Sequence, residues 1–257
     1  MLTKATLRFL TELQQRKHRQ ATGRFVAEGA KSVTELLESP LHTERVYGTA
    51  AFGVEFDWLL RRAGVAFEAV TADELARAGS LVTNDAALAV AHLPAAVLPG
   101  AAPPALRPDA LSLALADVRD PGNVGTIIRL ADWYGCAAVV CSPTTADPFS
   151  PKAVSASMGS VFRVPVLTTD LPALLAQLPP SFPAVWGADL AGVNVHTQRL
   201  RPEGLLVMGS ESHGLPPDVA AGLTARLHIP RRGHAESLNV AMATAILLDN
   251  FYREAAG

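Results

Sequence analysis

Leu111-Ser-Leu-Ala-Leu-Ala116 runs directly into Asp117-Val-Arg-Asp-Pro-Gly-Asn-Val-Gly-Thr-Ile-Ile-Arg129, and this junction decides the fold. Residues 111–116 form a short apolar run of the kind buried on both faces of a sheet. Asp120-Pro-Gly-Asn123 is turn chemistry, and residues 124–134 have the apolar spacing of a helix. Further along the chain, apolar runs at 137–141, 161–166, 184–188, 205–208 and 225–229 alternate with helical stretches at 153–159, 171–178, 217–221 and 239–254. Strands separated by helices predict an α/β architecture with a mostly parallel sheet covered on both sides.

Upstream, Pro99-Gly-Ala-Ala-Pro-Pro-Ala-Leu-Arg-Pro108 changes the texture, with four prolines in ten residues. Proline fixes φ and disfavours helix before it, so 99–108 reads as a semi-rigid linker. It separates a smaller α/β domain, 1–98, from a larger one, 109–257. In the smaller domain, Leu2, Leu7, Leu10 and Leu13 recur at helical spacing, predicting an amphipathic helix over 2–17. A strand at 45–48, a helix at 57–63 and a strand at 65–70 follow. Thr71-Ala-Asp-Glu74 offers a capping box for the next helix, and 88–97 closes the domain as an apolar strand.

Composition excludes several classes. With 49% hydrophobic and 18% charged residues, the chain can build a packed core and is not disordered. No apolar run reaches the roughly 18–20 residues of a membrane span, and the start has no apolar signal-peptide core. Two cysteines, Cys136 and Cys141, make neither a disulfide scaffold nor a zinc cluster. Seven scattered histidines lack metal-ligand spacing, so no metal is expected. A cytoplasmic protein follows. The net charge is −2, but residues 1–31 carry a net +5 while 32–116 carry −5 and 117–257 carry −2. Arg16, Lys17, Arg19, Arg24 and Lys31 are thus candidate phosphate contacts for RNA; a solvated amphipathic helix would read the same way.

Three segments carry chemistry. The first, from Asp117 to Arg129, places a turn at a helix start, where free N–H groups and the positive end of the dipole suit an anion. It is neither the GxGxxG of a dinucleotide site nor the GxxxxGK[ST] of a phosphate loop. The second, Leu205-Leu-Val-Met-Gly-Ser-Glu-Ser-His-Gly-Leu215, runs a strand into a glycine-bracketed loop holding Glu211. The third, His228-Ile-Pro-Arg-Arg-Gly-His-Ala-Glu-Ser-Leu-Asn-Val-Ala241, ends a strand in a basic loop and opens the last helix, with Ser237 as a candidate N-cap.

In order and wording, these segments resemble the three motifs of the S-adenosylmethionine-dependent RNA 2′-O-ribose methyltransferases of the SpoU/TrmH family, in the SPOUT superfamily. The likeness spans about 110–254 and includes Asp147-Pro-Phe-Ser-Pro-Lys152 and Ala156-Ser-Met-Gly-Ser-Val-Phe-Arg-Val-Pro165 between the motifs. Arg19-Gln-Ala-Thr-Gly-Arg-Phe-Val-Ala-Glu-Gly-Ala-Lys31 is similar to the start of the L30e-like substrate-binding domain that some members carry. The resemblance implies a C-terminal trefoil knot and S-adenosyl-L-methionine held by Gly209, Ile229, Pro230, Ser237 and Leu238. It implies catalysis by Arg129 with Asn123, Glu211, Ser237 and Asn239. It also implies a homodimer through the catalytic domain, and ribosomal RNA as substrate with transfer RNA second. The family assigns proton abstraction to the arginine. A guanidinium is an odd base, so the more conservative role is to anchor the neighbouring phosphate and orient the hydroxyl. Ala241, and the Arg231-Arg232 pair, depart from the usual wording of the third motif. Two rival readings are a non-catalytic RNA-binding or ribosome-assembly protein on the same fold, and a small-molecule enzyme with a nucleotide cofactor.

Overall fold

The computed structural model describes residues 1–81, 83–102 and 105–253. Positions 103 and 104 of the proline-rich tract, and Glu254 at the expected end of the last helix, lie outside them. In chain order the first lobe comprises α1 (Lys4–Glu12), α2 (Arg16–Thr22), β1 (Arg24–Glu28), α3 (Ala30–Leu37), β2 (Thr43–Gly48), α4 (Ala50–Glu55), α5 (Asp57–Ala63), β3 (Ala66–Ala69), α6 (Ala72–Ala78) and β4 (Ala87–His92). The second comprises β5 (Leu111–Leu115), α7 (Pro121–Tyr134), β6 (Val139–Cys141), α8 (Pro151–Ser157), β7 (Val166–Thr168), α9 (Leu171–Ala176), β8 (Val185–Asn194), β9 (Gly204–Met208), α10 (Pro217–Ala220), β10 (Ala225–His228) and α11 (Val240–Tyr252).

The first sheet has the order β1-β4-β2-β3. Its β4 pairs antiparallel with β1 and β2, while β2 and β3 are parallel. The second sheet has the order β10-β8-β9-β5-β6-β7, and all its pairs are parallel. The two-residue period of a strand sorts side chains between layers. Phe25 and Ala27 of β1 and Ala87, Ala89 and Ala91 of β4 enter one apolar cluster. Val26, Leu88 and Val90, on the opposite face, meet Leu10, Leu13 and Leu75. In β5, Leu111, Leu113 and Leu115 face the same cluster as Phe25, whereas Ala114 faces Leu171, Leu174 and Leu205. One core therefore runs through both lobes.

Helix starts are capped by short polar side chains. Thr3, Ser150 and Asp170 each accept from a backbone N–H of their helix, and the Thr71–Glu74 capping box forms as the spacing predicts. Other expectations change. The helix expected over 2–17 is two, because the chain turns at Gln14 and Gln15. This keeps Leu10 and Leu13 in the core and redirects Arg16 and Arg19. The strand expected at 88–97 stops at His92 before Pro94, and Ala95–Val97 is a 3-10 turn. The run 161–166 is not one strand: Ser160–Phe162 forms a 3-10 turn and pairing begins only at Val166. Conversely, the strand read at 184–188 extends as β8 to Asn194, with a register break against β10 between Arg226 and Leu227. Among the described residues no helix is long and apolar enough to cross a membrane.

Candidate active site

The site forms where α7 and α11 begin beside the end of β9. Asp120 is the N-cap of α7: its Oδ1 accepts from the Asn123 N–H at 3.0 Å and its Oδ2 from Lys152 Nζ at 2.7 Å. The Lys152 ammonium holds the Asp120 carboxyl below its usual range. Upstream, Asp117 takes a left-handed backbone, φ 61°, which a non-glycine residue holds only with support. Ser142 provides it twice, donating to Asp117 Oδ1 at 3.2 Å and accepting from the Asp117 N–H at 3.1 Å; the Thr144 hydroxyl also bonds to Oδ1.

β9 ends at Met208, and Gly209 follows. A Cβ at Gly209 would stand 2.3 Å from the Gly214 carbonyl group and 2.6 Å from the Leu215 nitrogen, so only glycine fits. Ser210 and Gly214 exchange backbone hydrogen bonds of 3.0 and 2.9 Å, closing a loop that presents Glu211 to solvent. On the third segment, Ile229 and Pro230 are half-buried, and residues 231–239 are exposed without regular structure.

Asn239, not Ser237, caps α11. Its Oδ1 accepts from the N–H groups of Ala241 at 3.0 Å and Met242 at 3.3 Å. The cap lies next to the first buried residue, Val240, whereas Ser237 sits two residues further out in the exposed loop. This cap fixes a chain of amides. With Oδ1 committed to the helix, Asn239 Nδ2 donates to Asn123 Oδ1 at 3.0 Å. Asn123 Nδ2 is thereby left to donate to Glu211 Oε1. The Glu211 loop and the start of α11, 88 and 116 residues on, are thus tied through Asn123 to the first turn of α7.

Arg129 is placed differently. It is exposed on α7, and among the described residues no group accepts a hydrogen bond from it. Six residues of helix carry it about 9 Å beyond Asn123 and turn it to another face. Trp133, one turn further, is 83% exposed.

Of the residues expected to contact RNA, Lys17 is exposed, Arg24 pairs with Glu44 and Lys31 pairs with Glu35. Arg16 reaches the Thr145 carbonyl at 3.4 Å. Arg19 is a correction: it is 2% exposed and paired with Asp147, which lies in the second lobe and out of reach of sequence reasoning. Sequence reasoning also missed the Asp120 cap, although an Asp-Pro at a helix start is a signal for it. Cys136 and Cys141 are buried, and burial pushes their thiols up to about 11 and about 12, too high to act as nucleophiles.

Residues 110–249 match the SpoU rRNA Methylase family, and residues 4–89 match the MRM3-like substrate binding domain. The chain is 32% identical over 239 residues to the 23S rRNA (guanosine(2553)-2′-O)-methyltransferase RlmP of Bacillus subtilis, covering 92% of each protein. It superposes on the AdoMet-bound rRNA methyltransferase from Sinorhizobium meliloti with a TM-score of 0.85 at 30% identity, covering 99% of this chain and 96% of that one. The SpoU methyltransferase AviRb from Streptomyces viridochromogenes, in complex with AdoMet, gives 0.86 at 25% identity over 99% of both chains.

Proposed function

The chain belongs to the SpoU rRNA methylase family, and we infer from that premise that it transfers a methyl group from S-adenosylmethionine to a ribose 2′-hydroxyl of ribosomal RNA. The observation that carries the reading is the Asn239–Asn123–Glu211 chain of hydrogen bonds, which gathers the three motif loops into one site.

The residues present fit S-adenosylmethionine. The Gly209 loop is folded so tightly that a Cβ has no room. Half-buried Ile229 and part-exposed Leu238 offer apolar surface for an adenine ring beside loop backbone that can hydrogen-bond it. Gly209, Ile229, Pro230, Ser237 and Leu238 are the proposed contacts. The bound group supplies an electrophilic sulfonium methyl. The protein's part is to hold the RNA and ready the hydroxyl. Arg129, whose guanidinium has no acceptor among the described residues, anchors a phosphate next to the target ribose and orients the 2′-oxygen. Asn123, Glu211 and Asn239 fix the shape of the pocket wall, and Ser237 lies on the loop that borders it.

The same reading assigns residues 1–98 to RNA binding and 109–257 to methyl transfer, with a trefoil knot in the latter. Exposed Trp133 on α7 and Met242 on the adjoining α11 supply apolar surface for a homodimer through this lobe. A dimer would let Arg129 serve the partner's site. A cytoplasmic location and transfer RNA as second substrate complete it. The test is incubation with labelled S-adenosylmethionine and ribosomal RNA from cells lacking the protein, followed by nuclease mapping. Label on a ribose 2′-oxygen is expected. Donor binding with no label on the ribosomal RNA, nor on transfer RNA treated alike, would favour the non-catalytic RNA-binding reading.

A further inference from the structure

The seam between the lobes is built unlike an ordinary contact between two domains. At its centre Phe25 of β1 meets Phe149 edge-on at 4.9 Å and stacks with Phe162 at 5.9 Å, all three buried. Beside this apolar centre lies the Arg19–Asp147 pair. Arg19 Nε and Nη2 donate to Asp147 Oδ2 at 2.9 and 2.5 Å, and Nη1 donates to the Leu13 carbonyl at 2.8 Å. Asp147 Oδ1 accepts from the Phe149 N–H at 2.8 Å. Every nitrogen of the guanidinium is bonded, and Arg19 is 2% exposed. A phosphate cannot reach it.

Also across the seam, Arg163, next in chain to Phe162, joins Glu35 of α3 to Asp132 of α7. Gly159, at φ 93°, lets the Glu35 side chain approach: a Cβ there would stand 2.7 Å from Glu35 Cβ. Both connections lead to the site. Asp132 is on the helix that carries Asn123 and Arg129. Asp147 closes the loop containing Ser142, Thr144 and Thr145; the Thr145 hydroxyl bonds the Leu115 carbonyl at 2.7 Å, and Ser142 supports Asp117.

A buried ion pair adds little stability over apolar packing of the same volume, because removing two charges from water costs about as much as their attraction returns. Its established use is to fix register, since it is satisfied in only one geometry. Domains joined by a linker move relative to each other unless the contact is large and apolar. Here an apolar centre joins the lobes, and the ion pair adds a contact that is satisfied in one geometry.

We propose that Arg19 is a positioning residue: through Asp147 it locks the first lobe at a single angle to the methyl-transfer site, so that RNA gripped by the first lobe is presented in register to the second. This rests on the methyltransferase reading above. A shift of about 1 Å in a reacting group can cost up to about 100-fold in rate, so register at the seam acts on turnover.

The test uses the full chain with Arg19→Gln, Asp147→Asn, both together, and the apolar pair Arg19→Met with Asp147→Leu, which replaces the charges with packing. Turnover on a ribosomal RNA fragment is expected to fall about 10–100-fold in kcat for each, with the double no worse than either single. RNA and donor dissociation constants, and the salt dependence of RNA binding, should stay as in the unsubstituted protein. The apolar pair should match its thermal stability and still lose turnover. Spin labels on the two lobes, measured without RNA, should show a broadened distance distribution in the variants. Several outcomes would overturn the proposal. One is full turnover by the apolar pair. Another is a weaker RNA affinity and a shallower salt slope in Arg19→Gln with Asp147→Asn unaffected, the pattern of a phosphate contact. An unchanged distance distribution overturns it whether or not methyl transfer is observed, and a negative result here leaves the methyltransferase assignment standing.

Discussion

Arg19 and Arg129 carry the same guanidinium into opposite surroundings, and the seam and the site differ as they do. Arg19 is buried with all its nitrogens bonded, to the Asp147 carboxylate and the Leu13 carbonyl. Arg129 stands exposed on the helix whose first turn carries Asn123, on another face from the amide network that ends on exposed Glu211. In the seam the valences are closed, so its groups can hold only each other. In the site the amides close on one another, but their chain ends on exposed Glu211, and Arg129 is bonded to no other described residue, so these two are free for a substrate. A buried, saturated cation is structural, whereas an exposed cation bonded to no other described residue is available for a substrate.

The contrast breaks most severely if the seam is soft. Phe149→Ala removes a ring that is 1% exposed from the centre of the interface. A loss of about 3–5 kcal/mol is expected, read from denaturant melts at constant m-value. A cost below about 1 kcal/mol would mean that the lobes are loosely docked. Arg129→Ala tests the open end. Turnover should drop about 100–1,000-fold, the scale for a donor aimed at developing charge, while donor affinity and melting temperature hold. Parallel loss of donor binding would remove Arg129 from its assigned role.

Local chemistry made much of this legible in the sequence. The helix at 57–63 and the Thr71–Glu74 capping box need only neighbours along the chain, and both form. The strand–turn–helix at 111–134 is equally local, and the ordered motifs identify Asn123, Glu211 and Asn239, which the fold brings together. What stayed hidden depends on partners far away in sequence. Arg19 looks like any basic surface residue until Asp147, 128 positions on, comes into contact. Val161 and Phe162 look like strand, but a 3-10 turn sends the Phe162 ring into the seam against Phe25. Ser237 and Asn239 are both good caps by composition; only the depth at which α11 meets the core chooses the asparagine.

That choice gives a sharper probe of the site. Asn239 caps with its oxygen and relays with its nitrogen. Asn239→Ala should cost about 1 kcal/mol of stability through the lost cap and lower turnover about tenfold, the equivalent of one weakened hydrogen bond. Asn239→Asp keeps an acceptor for the helix but cannot donate to Asn123. It should restore stability and leave turnover low. If both properties return together, the amide chain has no role beyond capping.

The smallest effect separates two ion pairs. Arg19–Asp147 has side chains 2% and 15% exposed; Lys152–Asp120 has 63% and 46%. Solvent screens the second pair, so Lys152→Ala should cost less than about 1 kcal/mol, and less still at high salt. Its pH dependence has a definite sign. Lys152 lowers the Asp120 pKa in the folded protein, so the contribution is complete above the ordinary carboxylate pKa and disappears as acid protonates Asp120. Stability curves of the parent and Lys152→Ala should therefore converge on acidification below about pH 4 and run parallel at neutral pH. A Lys152→Ala penalty as large as that of Asp147→Asn, or one indifferent to salt, would mean that burial does not rank these contacts and that the line drawn between a closed seam and an open site is misplaced.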